Sequence, residues 1–214
     1  MFELRNLDIG YAKNLLVSRV NFTFKEGRIY TISGDNGIGK TTLLKSLVGL
    51  VSPISGNITI NKESILDWDL RRTSKLFSIL FSRQEIDSSI KVREIFEFSL
   101  SHLLPADKLQ ISIEKFLSYF NIEYLLNMPF GLLSDGQKQL VLIARALIKP
   151  ATIYLLDEPT IYLDIKTKKL LIKYIKEELI GIDKLVILIS HDADFVLNIS
   201  DDQLQINNGV LNRI

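Results

Sequence analysis

The most constraining feature of this sequence is the nonapeptide at residues 34–42, Gly-Asp-Asn-Gly-Ile-Gly-Lys-Thr-Thr. It fits the pattern G-x-x-x-x-G-K-[ST], with an apolar run at residues 28–33 before it and leucines at helical spacing after it. A strand, a glycine-rich loop and a helix in this order direct backbone N–H groups and the positive end of a helix towards one point. The segment therefore predicts a polyphosphate-binding loop in an α/β fold, whereas the alternative is a glycine turn that merely precedes a helix.

Each residue type in this loop suits contact with phosphate. The glycines allow the backbone to curl tightly and approach the phosphates without an intervening Cβ. Lys40 supplies a positive charge for the β- and γ-phosphates, and the Thr41 hydroxyl is a suitable ligand for Mg²⁺. The predicted nucleotide-binding residues of the loop are Gly34, Asp35, Asn36, Gly37, Ile38, Gly39, Lys40, Thr41 and Thr42.

A second element of phosphate chemistry is the apolar run Ile153–Leu156, which ends in two carboxylates, Asp157 and Glu158. In a protein with a phosphate-binding loop, an aspartate at such a strand end typically holds Mg²⁺. A carboxylate one residue later can orient or deprotonate an attacking water, so Asp157 is predicted as the metal residue and Glu158 as the general base. The alternative is a polar strand end that enters a turn at Pro159, as in any α/β protein.

The composition limits the other classes of function. The chain has 214 residues, 47% of them hydrophobic, which is enough for a substantial core in one domain or in one domain plus a small lobe. Its 26 basic and 25 acidic residues give a net charge of +1, so no nucleic-acid partner is expected. There is no cysteine, hence no disulfide framework. The N-terminus lacks an apolar signal region, and the longest uncharged stretch, residues 46–61, is too short and polar to span a bilayer.

The periodicity of apolar residues predicts one α/β domain over residues 1–214, with a core at 1–86 and 131–214 and an inserted helical subdomain at about 87–130. The predicted strands are Phe2–Ile9, Val20–Lys25, Arg28–Ser33, Asn57–Ile60, Leu76–Phe81, Ala151–Leu156 and Lys184–Ser190, followed by a hairpin of Gln203–Ile206 and Val210–Asn212. The predicted helices of the core are Lys40–Leu50, Ser134–Lys149, Asp164–Leu179 and Asp192–Asn198.

The segment Leu133–Gln137, Leu-Ser-Asp-Gly-Gln, resembles the Leu-Ser-Gly-Gly-Gln signature of ATP-binding cassette (ABC) ATPases. The resemblance covers essentially the whole chain, because further family motifs follow in the expected order. It implies a phosphate-loop core with a mostly parallel sheet, an N-terminal antiparallel subdomain and a helical subdomain. The residues that match these motifs are Tyr11 for adenine stacking, Gln84 of the Q-loop, Asp157 and Glu158, Asp164 of the D-loop and the switch histidine His191.

The resemblance also implies how these residues work together. ATP and Mg²⁺ are the implied cofactors, with Thr41, Gln84 and Asp157 at the metal and Glu158, Gln84 and His191 in catalysis. The segment Leu133, Ser134, Asp135, Gly136 and Gln137 is expected to contact the ATP held by a second cassette in a head-to-tail dimer. Ser134 and Gln137 also form a capping-box pattern, so the alternative for this segment is a helix start alone. Asp135 replaces the usual glycine, as in cassettes of the iron-chelate and haem importer group.

The expected function is that of the ATP-hydrolysing subunit of an ABC transporter. Such a subunit works as a homodimer or paired cassette and docks on integral membrane permease subunits, which places it in the cytoplasm, peripheral to the inner face of the cell membrane. The alternative is a soluble cassette ATPase, for example in cofactor assembly. A regulator that binds nucleotide without hydrolysis is disfavoured, because Glu158 and His191 are both present. The transported substrate and the direction of transport are not encoded in these motifs.

Overall fold

The computed structural model describes residues 1–11, 14–82, 84–181 and 183–214. Within these residues ten strands form two sheets, and seven α-helices surround them. The strands are β1 Phe2–Tyr11, β2 Asn14–Phe24, β3 Arg28–Ser33, β4 Ser55–Ile60, β5 Glu63–Ser64, β6 Phe77–Leu80, β7 Ile153–Asp157, β8 Leu185–Ile189, β9 Asp202–Asn207 and β10 Val210–Arg213. The helices are α1 Lys40–Ser46, α2 Leu70–Leu76, α3 Val92–Leu100, α4 Ala106–Tyr119, α5 Asp135–Ile148, α6 Ile165–Tyr174 and α7 Ala193–Ile199.

The smaller sheet is antiparallel, in the order β2-β1-β4-β5, and contains the N-terminal strands. Its second strand is longer than predicted, because β2 begins at Asn14 and not at Val20. It pairs with β1 from Phe2 opposite Phe24 to Tyr11 opposite Asn14. Several register shifts interrupt this ladder, so the alternation of apolar and polar residues that the prediction used breaks down in the first half of β2.

The larger sheet has six strands in the order β10-β9-β3-β8-β7-β6. All its neighbours are parallel except β9 and β10, which form the predicted C-terminal hairpin. The two turn residues of this hairpin, Asn208 and Gly209, have positive φ, as a tight primed turn requires. The phosphate-loop strand β3 lies between β8 and β9. The loops after β3, β7 and β8 therefore leave the same edge of the sheet, which is where α/β proteins of this kind bind ligands.

Alternate residues of the central strands pack into two separate hydrophobic clusters on the two faces of the large sheet. On β7, Ile153 and Leu155 belong to the cluster shared with the small sheet and α1, whereas Tyr154 and Leu156 belong to the cluster shared with α5 and the other helices. This near-continuous burial of every residue of β7 and β8 is typical of parallel strands covered on both faces.

Helices α3 and α4 occupy the region predicted to be a helical subdomain. They pack in the same hydrophobic cluster as α5, so no break in packing marks the limits at residues 87 and 131, and that division stays a prediction. Helix α2 was not predicted; it begins at Leu70 and is capped by Asp69, whose carboxylate accepts the Arg72 N–H at 2.7 Å. Among the described residues no helix has the length and apolar content needed to cross a membrane.

Candidate nucleotide-binding site

The loop between β3 and α1 adopts the curled conformation that its glycines predict. Gly34 has a φ of 141° and Gly39 a φ of 113°, in the region that favours glycine. Space is also restricted there. A Cβ on Gly34 would lie 2.7 Å from the carbonyl oxygen of Ile206, and a Cβ on Gly39 would lie 2.9 Å from the Cβ of Leu16. Strands β9 and β2 thus press against the loop from outside, and a side chain at either glycine would displace it.

Lys40, the first residue of α1, folds back across this loop. Its Nζ donates to the carbonyl oxygens of Gly34 at 2.7 Å and Asp35 at 2.8 Å. Burial lowers the pKa of the Lys40 ammonium, and the nearby Glu158 and Asp157 carboxylates oppose that shift. The result is a nearly buried cation held over the concave side of the loop, where a phosphate group would compete with the two carbonyls for its protons.

Asp157 ends β7, as predicted from the sequence, and it lies beside the start of α1. The side chain is almost fully buried, and its Oδ2 accepts a hydrogen bond from Thr41 Oγ1 at 2.9 Å. A second hydroxyl, Ser82 Oγ, donates to the same oxygen at 3.2 Å. Ser82 was not predicted as a site residue, because nothing local in the sequence indicates that the end of β6 lies next to the end of β7.

Glu158 and His191 face each other at the ends of the adjacent strands β7 and β8. Glu158 has a φ of 53°, a strained conformation for a residue with a side chain, and its N–H donates to the carbonyl of Ile189 at 2.9 Å. Its carboxylate accepts from the backbone N–H of His191 at 3.3 Å, and the imidazole Nε2 lies 3.4 Å from Oε1. Burial raises the pKa of the Glu158 carboxyl, while His191 acts in the opposite direction. A carboxylate with a raised pKa beside an imidazole is suited to general-base catalysis.

These groups line one cleft of about 620 Å³. The lining residues are Asn36, Gly37, Gly39, Lys40, Thr41, Thr42, Ser82, Asp157, Glu158, Ile161, Tyr162 and His191. The cleft joins the phosphate-binding loop, the two carboxylates and the histidine in a single space. Gly34, Asp35 and Ile38 are part of the loop but do not line the cleft.

Gln84 and Tyr11, which were also predicted as site residues, do not line this cleft. The Gln84 Nε2 donates to the carbonyl of Phe81 at 3.1 Å, and its Oε1 accepts from the Arg145 guanidinium of α5. Tyr11 ends β1 with half of its surface exposed, and the two residues that follow it lie outside the described part of the chain. Catalytic and metal roles for Gln84, and adenine stacking for Tyr11, stay predictions.

The segment 133–137 forms the capped start of α5, as the capping-box pattern predicts. Ser134 Oγ accepts the Gln137 N–H at 3.3 Å, and Gln137 Oε1 accepts the Ser134 N–H at 2.9 Å. Leu133 is buried and Asp135 is largely exposed, with Lys138 Nζ 3.9 Å from its carboxylate. None of the five residues 133–137 lines the cleft of its own chain. The capped start of α5 therefore lies outside that cleft.

Gln139, one turn further along α5, connects this helix to the residues after β7. Its Nε2 donates to the carbonyl of Pro159 at 3.1 Å and lies 3.4 Å from the carbonyl of Glu158. The start of α5 is also close to the turn that contains Tyr162 after β7, because a Cβ on Gly136 would lie 2.8 Å from the carbonyl of Tyr162. The small size of Gly136 is therefore required by a backbone contact between the two segments. Sequence reasoning missed Gln139, which carries no motif of its own.

The turn after β7 and the loop after β8 are both held by helix caps. Asp164 caps α6 by accepting the Thr167 N–H at 2.7 Å, and this hydrogen bond lowers the pKa of Asp164. Asp192 caps α7 and also pairs with Lys168 of α6 at 2.6 Å, which lowers the pKa of Asp192. Lys168 thus ties α6 to the residue that follows His191. This contact was not predicted.

The fold and the cleft define a protein of the phosphate-loop nucleotide-binding class. Residues 17–161 match the family described as ABC transporter, which is more than half of the chain. The chain therefore belongs to the ABC transporter family, and its fold is that of an ATP-binding cassette, as the signature residues predicted.

Similar proteins include ATP-binding subunits of both importers and exporters. Over 215 residues the chain is 30% identical to the spermidine/putrescine import ATP-binding protein PotA of Mycoplasma capricolum, covering 100% of this chain and 61% of that protein. Over 201 residues it is 33% identical to the cytochrome c biogenesis ATP-binding export protein CcmA of Legionella pneumophila, covering 94% and 97%. A solved dimeric, post-hydrolysis structure of the cassette MJ0796 with ADP and phosphate superimposes with a TM-score of 0.84 at 26% identity, covering 100% of this chain and 97% of that one. The chain thus spans about three fifths of the first relative and nearly all of the other two.

Proposed function

We propose that this chain binds and hydrolyses ATP as the nucleotide-binding subunit of an ABC transporter. The observation that carries the proposal is the single cleft that joins the Lys40 loop, the Thr41–Asp157 pair and the Glu158–His191 pair. A cation for the phosphates, oxygen ligands for a metal and a base for water are the groups that phosphoryl transfer to water needs.

Magnesium fits the oxygens that the site offers. The Thr41 hydroxyl and the Asp157 carboxylate are hard oxygen donors, which Mg²⁺ prefers. Among the described residues, no group of three or more His, Cys, Asp or Glu could hold a metal alone. Such a sparse site is typical of Mg²⁺ bound with one or two protein groups, water and substrate phosphates. When bound, the ion neutralises charge that develops on the phosphate oxygens.

In the proposed mechanism the chain's own residues position the phosphates and activate water. Lys40 exchanges its two carbonyl acceptors for phosphate oxygens, and the loop N–H groups surround the same phosphates. Glu158 Oε1 is buried, lies 3.4 Å from His191 Nε2 and accepts no hydrogen bond from the described residues, so its capacity to accept a proton is unused. Its raised pKa favours proton transfer from the attacking water, and His191 holds the carboxylate in place.

The proposal includes a head-to-tail pair of cassettes. The capped start of α5 is an anion-binding helix end, but in the chain itself it lies outside the cleft. A second copy could place its Ser134 against the γ-phosphate of the first, which would complete two sites at once. The dimeric state of the MJ0796 cassette supports this arrangement. Asp135 is exposed at the same helix end, and its negative charge would weaken the approach to phosphate.

Transport is the role that we propose for this ATPase, through membrane permease subunits on which the paired cassettes dock at the cytoplasmic face. The named relatives are ATP-binding proteins of transport systems, which supports this role over that of a soluble cofactor-assembly ATPase. Because one relative is named for import of polyamines and another for export in cytochrome c biogenesis, the proposal specifies neither the direction nor the substrate.

Replacing Glu158 with glutamine tests the assigned chemistry. Glu158→Gln should lower ATP turnover by about 10²- to 10⁴-fold, since the variant lacks the general base. Stabilisation of the variant by Mg-ATP in thermal unfolding should persist, and size-exclusion chromatography with Mg-ATP should show a trapped dimer. The matched control is Glu177→Gln on the exposed face after α6, which should hydrolyse ATP normally. Turnover near the wild-type rate in Glu158→Gln would show that another group is the base.

A further inference from the structure

Ser82 follows β6 and lies two residues before Gln84 in the chain. Its hydroxyl lines the cleft and donates to Asp157 Oδ2 at 3.2 Å, the same oxygen that accepts from Thr41. Both hydrogen bonds to the Asp157 side chain that are found in the described residues go to Oδ2. The two hydroxyls thus hold one carboxylate oxygen from two different elements, and Oδ1 accepts no hydrogen bond from the described residues.

Gln84, the residue expected to join the metal site from this loop, is held elsewhere in the structure. Its carboxamide is engaged on both sides, by the carbonyl of Phe81 and by the guanidinium of Arg145. Burial lowers the pKa of Arg145. Moving Gln84 into the cleft would leave this partly buried guanidinium without its side-chain acceptor, and a buried charge that loses its partner is costly. The Gln84 carboxamide is therefore stabilised outside the metal site.

The chemistry of a hydroxyl allows Ser82 to act on both the carboxylate and the metal shell. A serine hydroxyl has one donor and two acceptor lone pairs. Because the donor is used on Asp157, the lone pairs are left for a donor in the cleft, such as a water on the metal. Groups that orient metal-binding carboxylates by hydrogen bonds commonly set metal affinity by 10- to 100-fold.

We propose that Ser82 is a positioning residue for magnesium. Ser82 orients Asp157 and takes the place of the Gln84 side chain, while Arg145 holds that side chain outside the cleft. This inference rests on the proposed function, because it assumes that Mg-ATP binds in the cleft. A role limited to structure makes a different prediction. A serine that only satisfies the end of β7 would affect the stability of the fold and leave the dependence on Mg²⁺ unchanged.

The test measures Mg²⁺ dependence of nucleotide binding, not turnover. The thermal unfolding midpoint is recorded at saturating ATP while Mg²⁺ is titrated, with ATP in EDTA as the reference. Ser82→Ala should raise the half-saturating Mg²⁺ concentration by about 10-fold or more, and stabilisation by ATP in EDTA should match that of the wild type. The control Ser89→Ala removes another serine hydroxyl bonded to a carboxylate, that of Asp87 at 2.8 Å outside the cleft, and should leave the titration unchanged.

Two further comparisons separate the hydroxyl from the space it fills. Ser82→Thr keeps the hydroxyl and should titrate like the wild type, whereas Ser82→Val, which is nearly isosteric with the threonine variant, should behave like Ser82→Ala. Gln84→Ala should shift the Mg²⁺ midpoint less than Ser82→Ala does. Equal midpoints in wild type and Ser82→Ala, or a larger shift in Gln84→Ala, would overturn the inference and leave the proposed function standing. If Mg-ATP does not stabilise the wild-type protein at all, the proposed function itself fails, and the inference fails with it.

Discussion

Ser134→Ala separates a helix cap from a phosphate ligand donated to a second cassette. The substitution removes one of the two capping-box hydrogen bonds, that from the Gln137 N–H at 3.3 Å, and keeps the reciprocal bond at 2.9 Å, which uses the backbone of residue 134. Loss of such a cap costs about 1 kcal/mol. In a chain of this length that corresponds to a fall of roughly 2–4 °C in the melting temperature. Almost all molecules would still be folded at 25 °C.

A catalytic role predicts a much larger effect on hydrolysis than on stability. Removal of one preorganised donor to a transition-state oxyanion typically lowers turnover by about 10²- to 10³-fold. ATPase activity per folded molecule is therefore compared with the melting temperature for Ser134→Ala and for Asp69→Ala. The latter removes the exposed cap of α2, which does not line the cleft, and should cost similar stability with normal activity. Normal turnover in a folded Ser134→Ala protein would refute the paired-cassette mechanism.

Mixing two inactive variants gives a second test of the head-to-tail pair of cassettes. If Ser134→Ala is combined with Lys40→Ala, the head-to-tail arrangement collects both lesions in one composite site and leaves the other site intact. The mixture should regain activity that neither variant shows alone, provided that one intact site can turn over. A mixture as inactive as its components would argue against shared sites.

Two other expected outcomes follow from charges at the site. Because burial raises the pKa of Glu158, hydrolysis should fall as the pH drops through that raised pKa, at a higher pH than for an exposed glutamate. Turnover measured against pH at saturating Mg-ATP checks this. A rate that stays constant down to the ordinary pKa range of glutamate would contradict it. Asp135→Asn removes an exposed negative charge from the helix end that is proposed to meet phosphate, so ATP-dependent dimerisation in size-exclusion chromatography should strengthen, although the helix loses a favourable first-turn charge. Weaker dimerisation would mean that Asp135 makes an attractive contact across the pair.

The parts of the site that sequence reasoning predicted are local in the chain. The curled loop at residues 34–42, the carboxylates that end β7 and the capping box of Ser134 and Gln137 each depend on residues within a few positions of one another. Their chemistry follows from residue type and spacing, because strand ends, glycine turns and helix caps have strong local preferences. Glu158 and His191 were each predicted as catalytic residues, but their mutual contact was not, because it depends on β7 and β8 being neighbours in the sheet.

The contacts that were not predicted join residues from distant parts of the chain. Ser82 and Asp157, Gln84 and Arg145, and Gln139 and Pro159 each meet because two elements pack side by side, and no local signal in the sequence shows which elements are neighbours. The first half of β2 was missed for a related reason. Its pairing with β1 is set by a long hairpin with register shifts, which the alternation of side chains does not reveal.

The position of β3 between β8 and β9 has a consequence for the synthesis and folding of the chain. The strand that carries the phosphate-binding loop is made early, yet both of its partners in the sheet follow it by most of the length of the chain. During translation the loop therefore lacks both flanking strands until β8 and β9 have left the ribosome. Such long-range pairing slows folding and leaves strand edges open to wrong partners. Because nucleotide binds the folded site and not the unfolded chain, ATP would stabilise the finished domain and would not stabilise a nascent chain.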